Sequence, residues 1–479
     1  MSDPTRRNRH RDLPEDQERA ARRLGILALA ALPVTAFFLL ASPYALLWPL
    51  VPVGVFGLLF AYRHLRLCVL LYCFLVPLET FLAGKLPGVS KALGALLVLV
   101  CLSRMLVRRD FVHVFRRPVC VPLVLWLSFV CFGVLFTIHR DQTLAGIKLL
   151  LPPLCIFFFI LCCIDNRDRL LWAMRTYVLG AALCACLGMT MAEKTWEGRV
   201  IGFGEDPNFF ATFFLAGYAL NVTLALRSRR GPELTLWLFC ACAQVGMVLQ
   251  SQSRAALAVM GLLTLVLCRP LLKLITTRTL ALVILAAALG LGGVFLFAPE
   301  NVVKRFSSMF TAQAGVQDLS TMRRMSYIPV ALENLGRHPL AGSGLNTYPI
   351  VYAYSSYAYA WGSETVDVFR YAHNTFLEMY SDLGLPGGTA FLAIFLLELR
   401  RLFRCRRLLA AQGRAEDALL AEGLWFALAG LMLMLLTLSN SFSKPLWFLL
   451  GLVAGATRFL PEEPDEAPDA EQTSEIAGA

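Results

Sequence analysis

Residues 207–250 read PNFFATFFLAGYALNVTLALRSRRGPELTLWLFCACAQVGMVLQ. Two apolar runs, 207–226 and 232–250, flank a short hinge that carries Arg227, Arg229 and Arg230. Each run is long enough to cross the hydrocarbon core of a bilayer as a helix. Lipid offers a bare backbone no hydrogen bonds, so a crossing run must be helical unless strands close into a barrel. The strict alternation of a barrel strand is absent here. The stretch therefore predicts a helical hairpin with its arginine-rich turn on one side of a membrane.

The same pattern repeats along the chain. Of its 479 residues, 57% are hydrophobic and 16% charged, with a mean hydropathy of +0.63. Soluble domains carry about 25% charged residues. Hydropathy predicts spans at 24–41, 43–61, 67–83, 90–106, 118–137, 147–164, 170–191, 207–226, 232–250, 255–268, 279–298, 386–400, 420–438 and 445–459. The weakest of these are the first pair and the short run 255–268, and twelve spans is the alternative to fourteen. Either even count puts both termini on one side. The fold class expected is an all-α polytopic membrane protein with 12–14 transmembrane helices.

A net charge of +11 would suit nucleic acid, but its distribution does not. Most of the 44 Lys and Arg fall in alternate short loops and in the tails, among them Arg63/Arg66, Arg116/Arg117, Arg167/Arg169 and Arg400 to Arg414. That asymmetry marks the cytoplasmic side, so both termini are expected there. Of the 14 cysteines, all but Cys405 lie in or at the ends of apolar runs, and none is expected in an external segment. Stray thiols in an oxidising compartment would pair, so this placement agrees with the topology.

The expected organisation is a basic tail over 1–23, about eleven spans over 24–298, one long external loop over 299–385, about three spans over 386–459, and an acidic tail over 460–479. A loop of that length is more than a connector. It holds most of the chain's 13 tyrosines, including the run YPIVYAYSSYAY at 348–359. Such a run suits an interfacial aromatic belt, or a platform for stacking sugar rings. Within the loop, 322–336 and 372–383 read as helices, the second ended by Gly384 and Pro386.

Few reactive side chains remain outside. Of six histidines, His338 and His373 share the long loop. A lone histidine is more often a hydrogen-bonded packing residue, yet near neutral pH it is a suitable general base. Arginine is disfavoured on this side, but Arg199 lies in EGRVIGFGEDPN and Arg254 in the tight turn QSQSRAA, with Arg323, Arg324 and Arg337 in the long loop. Forked guanidinium groups suit a phosphate or diphosphate and stabilise one as it departs. No phosphate-binding glycine loop, dinucleotide fingerprint or HExxH occurs, and Glu364 with Asp367 is a weak carboxylate pair. Nothing calls for ATP, nicotinamide or metal.

These residues carry a resemblance. SQSRAA near Arg254, RHPLAGSGLNTY at 337–348 and HNTFLEMYSDLGLPG at 373–387 resemble motifs of the O-antigen ligase and polymerase superfamily, in particular the WaaL-type lipopolysaccharide O-antigen ligases. His373, Asn374, Gly384 and Gly387 fit that family's H[NSQ]-x9-GxxG pattern. The resemblance implies a GT-C-type glycosyltransferase in a Gram-negative inner membrane, with its active site on the periplasmic face and no cofactor. It implies a donor, O-antigen linked to undecaprenyl diphosphate, and an acceptor, lipid A–core. It also implies His373 as general base and Arg254 and Arg199 on the diphosphate, with His338, Arg337 and Asn374 expected nearby in substrate-binding or supporting roles.

An O-antigen polymerase or a protein O-oligosaccharyltransferase would use the same donor. A transporter of lipid-linked sugars would instead line a central pathway with charge, for which only Glu79 and Arg175 are plausible.

Overall fold

The computed structural model describes Ile26, residues 50–79, Phe81, and residues 88–108, 112–195, 198–202, 206–272, 319–359 and 368–457. The expected spans 24–41 (Ile26 apart) and 279–298, and both expected tails, lie outside the described residues. Among the described residues, seven helices are long and apolar enough to cross a membrane, or eight counting one bent pair as a span. The only strands among them are a short antiparallel pair, β1 (Glu193–Lys194) and β2 (Val200–Ile201). The protein is an all-α polytopic membrane protein.

The chain divides into two compact units. One comprises Met1–Tyr72 and Lys91–Arg116, the other Cys73–Ser90 and Arg117–Ala479. In the first, α1 (Leu50–Arg63) runs into α2 (Leu65–Leu75) through a bend of 108°. Helix α3 (Val89–Arg108) sets the Arg104 guanidinium 5.8 Å from the Tyr62 ring centroid.

The second unit is a bundle of α4 (Cys120–Phe136), α5 (Arg140–Cys163), α6 (Arg167–Met191), α7 (Pro207–Arg227), α8 (Gly231–Ser251), α9 (Arg254–Leu272), α10 (Leu319–Arg337), α11 (Tyr348–Ala353), α12 (Thr375–Ala411), α13 (Ala415–Leu435) and α14 (Lys444–Ala456). Helix α7 is its axis, buried on almost every side, as its uniformly apolar surface requires. It packs against α8, α13, α9 and α6. Helix α14 is too short to span by itself and is wholly enclosed. Its Gly451 and Gly455, one turn apart, let it approach Ile160 of α5 and Ile164 just past its end until a Cβ at either glycine would stand 3.0 Å from an isoleucine carbon. Small residues at this spacing permit the close helix contact by which membrane bundles gain dispersion energy.

The two ends of α7 differ. Its 21 residues span about 31 Å, one hydrocarbon thickness. At the C-terminal end, Arg167, Arg227 and Arg229 surround Glu416, and Arg167 and Arg414 hold Asp417. At the N-terminal end Asp206 caps the helix and the long loop gathers. Charges within the bundle are paired: Lys444 Nζ lies 2.5 Å from both Glu79 oxygens, and Arg175 lies 3.1 Å from Glu233.

The long loop is pinned by hydrogen bonds to the start of α12. Asp382, fully buried, accepts from the backbone N–H groups of Asn346 (2.6 Å) and Tyr348 (3.0 Å). Asn334 Nδ2 donates to Ser343 Oγ and to the Ser381 carbonyl, and Leu385 N–H donates to the Pro339 carbonyl. Helix α10 covers the expected 322–336 and extends beyond it at its start. Helix α12 begins inside the expected loop and continues through 386–400. The break falls at Gly384, whose φ of +69° is left-handed and whose missing side chain leaves room for the Pro339 and Leu340 backbone.

The tyrosine run divides by burial. Tyr348 and Tyr352 are completely enclosed, with their hydroxyls bonded to the Tyr327 carbonyl and to Ser326 Oγ, so both are packing residues. Tyr354, Tyr357 and Tyr359 remain exposed.

Candidate active site

A polar cleft of about 200 Å³ opens at the N-terminal end of α7. One wall is built by the ends of transmembrane helices. The turn between β1 and β2 presents Arg199, whose Nε donates to the Ser251 carbonyl at 3.1 Å. Ser251 ends α8, and the next residue, Gln252, adopts a left-handed conformation (φ +53°) that turns the chain directly into α9 at Arg254. Ser253 Oγ donates to Asn208 Oδ1 (2.8 Å), and Asn208 Nδ2 donates to Asp206 Oδ1 (2.8 Å). Gln252 is only 2% exposed and lines the cleft, yet its Nε2 has no hydrogen-bond partner in the protein. A buried donor left in this state carries a desolvation cost that an incoming acceptor atom would relieve.

The opposite wall comes from the long loop. Tyr327 of α10 sits in a small core with Val330, Ala331, Tyr348, Tyr352 and Ala372. Its ring lies against the imidazole of His373, and the Arg370 charge acts on its hydroxyl. Arg323 and Arg324 line the cleft one turn earlier on α10, and Thr437 completes it.

His373 is held in a left-handed backbone conformation (φ +47°), uncommon for a side-chain-bearing residue and often found at functional sites. Both neighbours fix it. Ala372 N–H donates to Glu378 Oε2, a carboxylate that also accepts from Ser439 Oγ. Asn374 caps α12, its Oδ1 accepting from Leu377 N–H at 3.1 Å. Burial, with smaller contributions from the Arg324 and Arg370 charges, holds the His373 pKa down at about 4, and Asp206 opposes them. The imidazole is therefore neutral at pH 7, and its Nδ1 has no partner in the protein.

Of the residues singled out from sequence, the fold brings Arg199, Arg254 and His373 to this one cleft. Arg323 and Arg324 join them. Asn374 stands beside His373 as a helix cap. Arg337 and His338 are not among the residues lining it. Arg337 is an exposed partner of Glu333, and His338 closes the end of α10 through its backbone. Arg370, Gln252, Asp206 and Tyr327 are additions that only folding reveals. The clustered carboxamides and carbonyls leave no metal set: among the described residues, no group of three or more His, Cys, Asp or Glu side chains could hold an ion.

Beside the polar cleft runs an apolar groove of about 520 Å³ between α9, α12 and α13, lined by residues such as Leu262, Val266, Trp425 and Leu436. The two are contiguous in the chain: Leu436 precedes Thr437, and Phe376, also in the groove, lies three residues after His373.

Residues 237–392 match a family described as O-antigen ligase. The matched segment takes in Arg254, the described part of the long loop, His373 and the first half of α12, while Arg199 precedes it. No curated protein matches the chain.

Proposed function

We propose that this protein, O-antigen ligase-type by its residues 237–392, transfers O-antigen polysaccharide from undecaprenyl diphosphate to lipid A–core. The transfer would take place on the periplasmic face of a Gram-negative inner membrane, with both termini cytoplasmic. The observation that carries this reading is the meeting of Arg199, Arg254 and His373 in one cleft at the end of the bundle. The basic ion-pair cluster at the other end of α7 supports the assignment of sides.

In this reading Arg199 and Arg254 hold the donor diphosphate, with Gln252 Nε2 donating to one of its oxygens. The adjoining apolar groove receives the polyprenyl chain. An acceptor hydroxyl attacks the anomeric carbon from the face opposite the diphosphate. Its proton passes to the His373 imidazole as the new glycosidic bond forms. The bond from the anomeric carbon to the phosphate oxygen breaks, inverting the centre, and the diphosphate leaves with the bonding pair. The guanidinium groups neutralise that charge as it develops. Neither ATP nor a metal ion is needed, since the diphosphate is itself the activated leaving group.

A charge pathway for transport is not supported, because Glu79 and Arg175 are both paired. The test is transfer of radiolabelled glycan from the purified lipid-linked donor by detergent-solubilised protein. Lipid A–core, a free growing glycan and a pilin serve as alternative acceptors. Label in lipid A–core, lost in a folded His373→Ala protein, supports the ligase. Label only in the glycan or pilin assigns a polymerase or a protein transferase. Undiminished transfer by His373→Ala sinks the mechanism.

A further inference from the structure

Helix α12 outruns the bilayer at the end of the bundle away from the cleft. From its kink at Gly384 to its last residue, Ala411, it rises about 40 Å, against about 30 Å for a hydrocarbon core. Its final turns therefore stand at the level of the lipid head groups. They lie at the same end as the ion-pair cluster around Glu416.

Those turns have two faces. Glu398, Leu402, Cys405 and Leu409 recur at helical spacing and are buried, where α12 packs on α4 and α13. Leu396, Leu397, Arg400, Phe403, Arg404 and Arg407 fall on the opposite face and are exposed. Followed away from the cleft, this outer face changes from leucine to arginine where the hydrocarbon ends. Pairing sets its arginines apart from their neighbours. Arg401 bonds Glu398, Arg406 bonds Glu422 and Arg414 bonds Asp417. Among the described residues, Arg400, Arg404 and Arg407 meet no carboxylate. At i, i+4 and i+7 they share one strip of helix surface about 10 Å long.

Apolar side chains directly below a strip of free guanidinium groups match one ligand chemistry, acyl chains beneath a negatively charged phosphodiester. A lipid whose chains lie on Leu396 and Leu397 brings its phosphate level with Arg400 and Arg404. The long arginine stems let the charged groups converge on it from adjacent turns. Guanidinium forks grip phosphate oxygens through paired hydrogen bonds. A zwitterionic head group cancels its own phosphate charge, whereas an anionic one leaves it for the protein.

We infer that the outer face of α12 from Leu396 to Arg407 is a binding site for an anionic phospholipid of the surrounding bilayer. Leu396, Leu397 and Phe403 set the depth of the chains, and Arg400, Arg404 and Arg407 select the charge of the head group. The lipid binds the folded helix and not an unfolded chain, so its occupancy stabilises the protein.

The experiment places the full-length protein in bilayer discs of phosphatidylcholine, with or without phosphatidylglycerol. Lipid retained on the protein is counted by native mass spectrometry, and the melting temperature is read in each disc. Wild-type protein should retain phosphatidylglycerol in preference to phosphatidylcholine and melt higher when it is present. Replacing Arg400, Arg404 and Arg407 together by Gln should weaken phosphatidylglycerol binding about 100-fold, at about fivefold for each arginine. The rise in melting temperature should vanish with it. Arg404→Gln alone should weaken binding about fivefold, which keeps the test sound if the triple variant folds poorly. Lysine at the three positions should keep part of the preference, since charge remains but the forks are lost. A control replaces Arg63, Arg66 and Arg116, three exposed arginines on other elements, by Gln and should leave the preference intact. An equal loss in that control would mean a diffuse basic field and overturn the site. Equal retention of the two lipids by the wild-type protein overturns it as well. Undiminished phosphatidylglycerol binding by the α12 variants would give the arginines to another partner, such as an acidic protein, and likewise remove the lipid site.

Discussion

The rings of Tyr327 and His373 lie face to face, with centroids 5.6 Å apart and planes inclined by 22°. Helix α10 is thereby a direct support of the imidazole, although the two residues are far apart in sequence. Tyr327 also has its hydroxyl within reach of the Arg370 charge. Its ring and its hydroxyl therefore do separable jobs. Tyr327→Phe should keep the stack and retain kcat within a few-fold. Tyr327→Ala should lower kcat by about 100-fold, the scale of a misplacement of about 1 Å. Transfer rates at saturating donor and acceptor check this, with the melting temperature of each variant as a control on folding. Equal rates for Phe and Ala would show that the stack does not position His373.

The depressed pKa of His373 makes a pH prediction of definite sign. In the free protein the group titrates at about 4, against about 6.5 in an unfolded chain. The acid limb of kcat/KM for the donor reports the free enzyme, so it should fall near pH 4. The limb of kcat reports the loaded enzyme and should lie higher, because the bound diphosphate offsets the field of the arginines. For the same reason, Arg324→Gln should move the free-enzyme limb upward. Stability follows the sign of the shift. The folded pKa lies below the unfolded one, so the contribution of His373 is fully present above about pH 6.5. It erodes as pH falls toward 4, where the unfolded state binds the proton first. A free-enzyme limb at 6.5 or above would contradict the burial that produces the shift.

Arg199, Arg254 and His373 were legible in the sequence because each stands where topology disfavours it or inside a spaced motif. Arg370 carried no such mark: one arginine in a long polar loop is most often solvated, and its value comes from lying next to Tyr327 in space. Gln252 was hidden for a different reason. Its importance is a left-handed turn and an unpartnered amide, and neither leaves a pattern in a single chain. The tyrosine run misled in part. Tyr348 and Tyr352 look like surface aromatics by composition but are enclosed by α10. Apolar length made most helix positions legible but not their ability to span: 118–137 and 445–459 form helices of 17 and 13 residues, and the latter is enclosed by its neighbours. The helix expected over 372–383 with its stop at Gly384 is present, from Thr375 to a kink at that glycine. Gly384 and Pro386 signal that stop, and the N–H of Leu385, just past the kink, donates to the Pro339 carbonyl instead of continuing the helical ladder.

Asp382 joins the long loop to the bundle. Its two oxygens accept from Asn346 and Tyr348 backbone N–H groups, in a segment with two positive-φ residues, Gly344 and Asn346. Burial, with Glu378 nearby, pushes the Asp382 pKa well up, so the bonds are of ordinary strength, but each buried N–H left without its acceptor costs about 1–3 kcal/mol. Asp382→Ala should therefore destabilise the protein by roughly 2–5 kcal/mol, since it leaves two buried N–H donors unmatched. Limited proteolysis should then cut between residues 338 and 348 well before the transmembrane helices separate. Asp382→Asn retains acceptor capacity and should show a smaller loss. A protease-resistant Asp382→Ala protein would mean that Asn334 and its serine partners suffice to hold the loop.

The Lys444–Glu79 pair sits at the start of α14, where Ser90 Oγ also donates to Glu79 at 3.1 Å. The pair is mostly enclosed, with 13% and 24% of the side-chain surface exposed. Removing one partner leaves the other as an uncompensated charge in a poorly solvated place, a loss of about 3–5 kcal/mol for a buried pair and less at this exposure. Lys444→Ala and Glu79→Ala should each lower the melting temperature substantially. The double variant should lose less than the sum, because the second substitution removes the stranded charge. If the pair were instead a step in a transport pathway, the single variants would fold normally and lose movement of the lipid-linked glycan across vesicles. The hydrogen-bonded geometry predicts the reverse: weakened folding, with glycan transfer by the surviving folded fraction proceeding at a near-normal rate. Thermal unfolding of the four proteins, read beside transfer per folded molecule, separates the two outcomes.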